Sequence, residues 1–407
     1  MNNLLSTKDK AFILFSFFYI AYSIFPLFAD TTGIPIFIPA LTVTAVFLLM
    51  YPKAFWGQST KWFVVYVGVL FLYIVLGKPI FINALSPTLS STYRIIIESA
   101  WILPNITIMN VLLYRNNTRL YELVGYGSLA LLVVSFLYVL PLVMSTSNIL
   151  REDLHNLEVA RPQGLPGYDL MHAYTLMILP LCLWVKESGG KIRYCYLAIL
   201  LLFAYMVVQT AVSTSLVVMA MAVLFACIFN IKKLQRSILV FSLLLIIGYV
   251  LSQYGFFLKV VDGLMPYFEG TAVSIKLEDL HTSMVQEEVT GSSLTGRMNH
   301  HLTSIDSFLN NPIVGSDLAG RHSKILDLLG AMGLLAFIPY FMILYTGLKR
   351  YAFRIKDKEL KSYLYFSFIL AGVYLCTKGI FGSPGYLFMM VIVPCLLMCV
   401  SSFKRKN

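Results

Sequence analysis

Ile325-Leu-Asp-Leu-Leu-Gly-Ala-Met-Gly-Leu-Leu-Ala-Phe-Ile-Pro-Tyr-Phe-Met-Ile-Leu-Tyr-Thr-Gly-Leu348 runs straight into Lys349 and Arg350, with Arg354, Lys356, Lys358 and Lys361 close behind. As α-helix the apolar stretch is long enough to cross a hydrocarbon core about 30 Å thick. A cluster of Lys and Arg at one end of such a stretch marks the cytosolic side. The same unit recurs along the chain. Apolar stretches at 11–29, 33–51, 62–77, 95–113, 121–144, 170–185, 194–210, 214–230, 238–255, 363–381 and 385–403 are separated by polar segments. The run from Tyr194 to Asn230 is too long for one span. It divides at Thr210-Ala-Val-Ser213, a small and polar stretch suited to a tight turn.

The fold expectation is therefore all-α: a single polytopic transmembrane domain over 1–407 with about 12 transmembrane helices. Composition agrees. The 407 residues are 58% hydrophobic and 13% charged, against about 25% charged for a soluble domain. Lys8 and Lys10 precede a long apolar run with no small-residue cleavage pattern, so this run reads as the first span rather than a removed leader. The six cysteines all lie in apolar segments, without metal-ligand or extracellular disulfide spacing, and read as packing residues.

With both termini placed in the cytoplasm, the inner loops hold 21 of the 31 Lys and Arg residues. This bias accounts for most of the +11 net charge and argues against nucleic acid as a partner. The other ten cations fall on the outer side or its boundary: Lys78, Arg94, Arg151, Arg161, Lys259, Lys276, Arg297, Arg321, Lys324 and Lys378. Membrane proteins do not strand cations there by default, so the working face is expected to be extracytoplasmic. Three outer segments are long enough to build a site: 78–94, 145–169 with Arg151 and Arg161, and the large loop 256–323 between spans 9 and 10. No internal repeat is visible, nor the paired Gly/Pro-broken spans of an inverted-repeat transporter.

Within the large loop, Met298, Leu302, Ile305 and Phe308/Leu309 recur at helical spacing, and Asn310-Asn311-Pro312 stops the helix. The segment reads as an amphipathic helix at the outer interface. Arg297, His301 and Ser304 share its other side, which reads equally well as a solvated or headgroup-facing surface. His322 lies at the start of the tenth span, where Ser323 is placed to cap the helix. The helix dipole, Arg321 and Lys324 all disfavour a charged imidazole there, so His322 is expected to be neutral and able to accept a proton. A satisfied interfacial histidine is the plainer alternative. Arg161, in a Pro- and Gly-rich turn, is placed either to grip a phosphate or to snorkel to lipid headgroups. Arg151, beside Glu152 and Asp153, reads first as a local ion-pair residue. Two or three arginines and a neutral histidine at headgroup height suit a substrate with a lipid tail, a pyrophosphate and a sugar. No acidic cluster suggests a metal cage, and no metal or cofactor is expected.

Three stretches carry a family resemblance. Arg161-Pro-Gln-Gly-Leu opens a span. Gly296-Arg297 leads through the amphipathic helix to Asn311-Pro312-Ile-Val-Gly315. His322-Ser323-Lys324-Ile-Leu-Asp327 then runs on to Gly333. In order and topology they resemble the O-antigen polymerase and O-antigen ligase superfamily, with residue-level matching over about 161–333. The resemblance implies metal-independent glycosyl transfer from a polyprenyl-pyrophosphate-linked glycan at the outer face of the cytoplasmic membrane. Arg161 and Arg297 would be pyrophosphate ligands and His322 the base. Arg321, Lys324, His301, Arg151 and Asp327 are secondary candidates. The implied partners are undecaprenyl-pyrophosphate-linked oligosaccharide as donor and acceptor, membrane lipid, and a chain-length regulator. The family's ligases carry an Arg near the turn between spans 7 and 8, whereas this chain has Gln209-Thr-Ala-Val-Ser-Thr-Ser215. That difference, with the short spacing from Arg297 to His322, favours a polymerase over a ligase. A flippase for lipid-linked sugars is the alternative outside the enzymes; it would place charge within the spans, where Glu98 is one of very few candidates.

Overall fold

A computed structural model describes residues 5–25, 35–78, 90–145, 168–209, 213–228, 256–270, 274, 277–278, 281, 293–316, 323–377 and 382–406. Among these the chain is helical and forms no strand. The helices are α1 (Thr7–Ile24), α2 (Phe37–Met50), the single turn α3 (Pro52–Phe55), α4 (Gln58–Val75), α5 (Ser91–Arg115) and α6 (Thr118–Ser145). They continue with α7 (Tyr168–Glu187), α8 (Gly190–Gln209), α9 (Ser213–Ile228), α10 (Phe256–Leu264), α11 (Ser293–Asn310), α12 (Lys324–Arg354) and α13 (Lys358–Thr377). The last is α14 (Ser383–Leu387), which passes through a π-helical turn at Phe388–Ile392 into α15 (Val393–Lys406).

Among the described residues, seven helical stretches are long and apolar enough to cross a membrane: Gln58–Val75, Ser91–Arg115, Thr118–Pro141, Gly190–Gln209, Lys324–Arg354, Lys358–Thr377 and Ser383–Ser401. Phe37–Met50 and Thr214–Ile228 are shorter apolar helices. Helices overlap every predicted span except 238–255, which lies outside the described residues. The predicted division of the 194–230 run falls where α8 ends at Gln209 and α9 begins at Ser213.

The bundle has a clear centre. In α5 and in Ser383–Ser401, 72% and 89% of the spanning residues are buried, against 17% in α8. A half-buried span lies against lipid, while a fully buried one is surrounded by other helices. α5 therefore stands inside the bundle, touching α2, α4 and the α14–α15 region, and α12 packs on α4, α11 and α13. Residues predicted for the inner loops converge at one end. Arg115 grips buried Asp9 with Nε to Oδ1 at 2.8 Å and Nη2 to Oδ2 at 2.7 Å. Lys186 pairs with Glu359 at 2.6 Å. Arg350 donates to Asn110 Oδ1, and Arg354 to the Leu113 carbonyl.

The predicted span 325–348 lies within the apolar stretch Lys324–Arg354, and its backbone is broken once. Gly333 leaves the helical conformation at φ 62 and ψ −167, dividing α12 into a short first arm and a long second one. In a straight helix Tyr340 would stand about 24 Å beyond Lys324 along the axis. Instead the Lys324 ammonium lies 5.6 Å from the centre of the Tyr340 ring, so the arm bends sharply back into the bundle.

Candidate functional site

The break at Gly333 frees backbone groups that cannot stay unpaired in an apolar setting. The segment after α11 supplies their partners. Leu334 N–H donates to Pro312 O at 2.9 Å, Leu335 N–H to Ile313 O at 3.0 Å, and Ser316 N–H to Gly330 O at 2.9 Å. This approach requires glycine at two places. Gly315 at φ +65 and Gly333 at φ +62 both occupy the left-handed region, and a Cβ on either would strike the other segment's backbone. From α4, the Tyr73 hydroxyl contacts Met332 O at 2.7 Å and Val314 O at 3.0 Å, and Lys78 Nζ reaches Gly315 O at 3.4 Å. The Asn311-Pro312-Ile-Val-Gly315 segment and the glycine of the following motif thus form one interlocked unit.

At the other end of the first arm, Ser323 caps α12 by accepting the Leu326 N–H at 3.1 Å. Its own N–H donates to Asp327 Oδ2 at 3.0 Å, and its hydroxyl reaches Leu375 O of α13 at 3.4 Å. Asp327 Oδ1 accepts from Ser304 Oγ of α11 at 2.7 Å. The amphipathic helix therefore has three faces rather than two. Ser304 and Ser307 are buried, and Gly330 lets the α11 backbone approach α12 at Ser304. Leu302, Ile305 and Leu309 are exposed, as are Thr303, Asp306 and Asn310 on a third side. Ser304 is thus buried rather than solvated, while His301 on the same side is partly exposed. Small polar residues there allow close helix contact.

Lys324, the first residue of α12, turns inward. Its Nζ lies 2.7 Å from Glu98 Oε1 of α5, with the two side chains 0% and 1% exposed. The Tyr386 hydroxyl comes within 3.5 Å of the same carboxylate oxygen and hydrogen-bonds the Tyr340 hydroxyl at 2.8 Å. Arg94, one helical turn before Glu98, is also buried. A buried ion pair gains little over a well-packed apolar pair, because desolvation offsets the attraction. Charges inside a helical bundle of this kind mark function more often than stability. Nearby, buried His172 of α7 sets its ring 4.3 Å from that of Tyr374, whose hydroxyl donates to Ser215 of α9 at 3.0 Å.

No family model matches the chain, and no curated protein matches it.

Of the residues singled out from the sequence, Arg151, Arg161, Arg321 and His322 lie outside the described residues. Arg297 falls in α11, two helical turns before Ser304. His301 lies on α11, partly exposed. Lys324 and Asp327 are brought together at the start of α12, each engaged with a different neighbouring helix. Among the described residues no three His, Cys, Asp or Glu side chains come together in a way that would hold a metal ion. Sequence reading gave Glu98 no partner. The available signal was the Arg94/Glu98 pair at i, i+4 spacing within an otherwise apolar run.

Proposed function

We propose that the chain is a Wzy-type polysaccharide polymerase of the cytoplasmic membrane, joining undecaprenyl-pyrophosphate-linked repeat units at its outer face. In this reading the chain has about 12 spans, cytoplasmic termini and an extracytoplasmic 256–323 loop. The observation that carries the proposal is the interlock of the two motif segments. Asn311–Gly315 and Ser323–Gly333 are joined through Gly315 and Gly333, and Asp327 ties the second segment to Ser304 of α11. That union brings the stretches flanking Arg297 and His322 into one local structure.

The chemistry follows from the residue types. Arg297 and Arg161 hold the donor pyrophosphate bidentately and stabilise the negative charge that grows on it. His322 accepts the proton of an acceptor-sugar hydroxyl as that oxygen bonds to the donor's anomeric carbon. The bond from that carbon to the pyrophosphate oxygen breaks, and undecaprenyl pyrophosphate leaves with the electron pair. The acceptor is a second lipid-linked unit, so the product remains membrane-anchored. A chain-length regulator is the expected protein partner.

The test is reconstitution of the full chain in liposomes with purified lipid-linked repeat units. A polymer ladder is expected, and His322→Ala is expected to abolish it without changing membrane insertion. Normal ladders from that variant would remove the histidine from the reaction. One observation favours a second reading. The buried Glu98–Lys324 pair is the kind of intramembrane charge that a lipid-linked-sugar flippase would use. Movement of lipid-linked sugar across the liposome membrane with no glycosidic bond formed would decide for the flippase.

A further inference from the structure

At the end of the bundle where the predicted inner loops converge, two guanidinium groups lack the kind of partner their neighbours have. Arg115 holds Asp9 there, and Lys186 holds Glu359. Arg350 and Arg354, in the last turns of α12, donate instead to neutral oxygens of α5, Asn110 Oδ1 and the Leu113 carbonyl. Among the described residues neither has a carboxylate within ion-pair distance. The two stand one helical turn apart, a spacing at which like charges repel.

The bias of Lys and Arg toward inner loops does not by itself account for this pair. Cations that only mark orientation reach into water, as Lys53, Lys61, Lys349 and Lys356 do; all four are exposed. Arg350 and Arg354 are partly buried. A charge withdrawn from water without a counterion is unfavourable. Each bond to α5 uses one of the five N–H donors on its guanidinium. The position of Arg350 is set by the surrounding helices. Asn110 is fully buried, and its Nδ2 donates to Thr60 Oγ1 of α4 at 3.0 Å, which fixes the oxygen that Arg350 meets. Gly57 leaves the room for it, since a Cβ there would fall 2.7 Å from Asn110 Oδ1. Beside the pair the surface turns apolar. Phe353 is 88% exposed, and Tyr114, next to Leu113, is exposed as well.

We infer that Arg350 and Arg354 form a binding site for the phosphate of an anionic phospholipid headgroup, in the leaflet that is cytosolic in the orientation proposed above. The planar fork of a guanidinium matches two phosphate oxygens at once. The headgroup supplies the missing negative charge, and the exposed rings of Phe353 and Tyr114 offer apolar surface to the rest of the lipid. Basic pockets between membrane helices on the cytosolic side hold anionic headgroups in this way. A soluble phosphate ester carries the same charge but has no use for those rings, which makes a lipid the occupant. The site uses none of Arg161, Arg297 and His322, and it stands whether or not the chain is a polymerase.

The full chain in neutral detergent, titrated with phosphatidylglycerol, phosphatidylcholine or inorganic phosphate, tests this by native mass spectrometry and thermal melting. The wild type is expected to retain phosphatidylglycerol in preference to phosphatidylcholine and to melt at a higher temperature with it. The double variant Arg350→Gln with Arg354→Gln keeps an amide donor for each α5 oxygen and is expected to bind phosphatidylglycerol about 30-fold more weakly. Lys349→Gln with Lys356→Gln removes the same charge from exposed positions and is expected to weaken binding less than about threefold. Should the arginine double variant not fold, Arg354→Gln alone leaves Asn110 paired with Arg350 and is expected to lose about fivefold. Unchanged affinity in the folded arginine variant, or an equal loss in the lysine variant, overturns the site. So does a wild type that does not prefer phosphatidylglycerol. An equal rise in melting temperature with inorganic phosphate overturns the lipid as its occupant.

Discussion

Glu98 and Lys324 meet at 2.7 Å in a setting where neither side chain touches solvent. Removing one partner leaves the other charge buried, which costs about 3–5 kcal/mol, whereas replacing both with apolar residues is close to neutral. Lys324→Met and Glu98→Leu are therefore each expected to melt well below the parent in detergent. The double variant should recover most of the loss. Additive losses in a double-mutant cycle would show that the two side chains do not act as a pair. Gly333 makes a separate demand at this scale. Its φ of +62 and the nearby Ile313 carbonyl leave no place for a Cβ. Gly333→Ala is expected to destabilise by about 1–3 kcal/mol from backbone strain alone, with further loss from the collision, read as a lower melting midpoint. Gly372, which faces open space, serves as the control glycine.

At the scale of elements, α11 shows how an amphipathic pattern divides among three environments. Leu302, Ile305 and Leu309 make a ridge that only lipid or another apolar surface would cover. Thr303 and Asp306 face another way and are open. Ser304 and Ser307 meet α12. Spin labels placed singly in the reconstituted protein check this. Labels at Leu302 and Leu309 are expected to be quenched by oxygen dissolved in the bilayer, and labels at Thr303 and Asp306 by a water-soluble nickel complex. Equal aqueous exposure at all four would mean that the ridge does not lie in lipid. The apolar stripe itself was legible from spacing, because a period of 3.6 depends only on neighbours along the chain. The packing of Ser304 was not legible, because it depends on Gly330 of a different helix. The bend in α12 was hidden for the same reason. Gly333 inside an apolar run looks tolerable until Pro312 and Ile313 arrive to accept its freed N–H neighbours.

For the whole molecule, the helices were readable because apolar length and loop charge are local quantities. Helix contacts across the bundle were not. The division at Thr210 to Ser213 could be placed from four residues, while Arg115 gripping Asp9 joins positions 106 apart in the chain. The candidate site shares this property. Its motif residues were visible in sequence, but the contacts of Asp327 with Ser304 and Ser323 were not, because one of them comes from a different helix. One prediction belongs to the assembled protein alone. If the reaction relies on arginine and histidine, ladder formation in proteoliposomes is expected to continue at full rate after excess chelator. Loss of activity that added magnesium restores would exclude that chemistry.

Lys324 follows Glu98 by 226 positions. At synthesis rates of about 5–20 residues per second, the carboxylate is made roughly 10–45 s before its ammonium. During that interval the nascent chain holds an acid among lipids and half-built neighbours. Biogenesis of this protein therefore contains a vulnerable period, which the insertion machinery must shield. A ribosome release just short of residue 323 should yield a fragment that quality-control proteases clear quickly, and the same fragment carrying Glu98→Leu should outlive it in a pulse-chase.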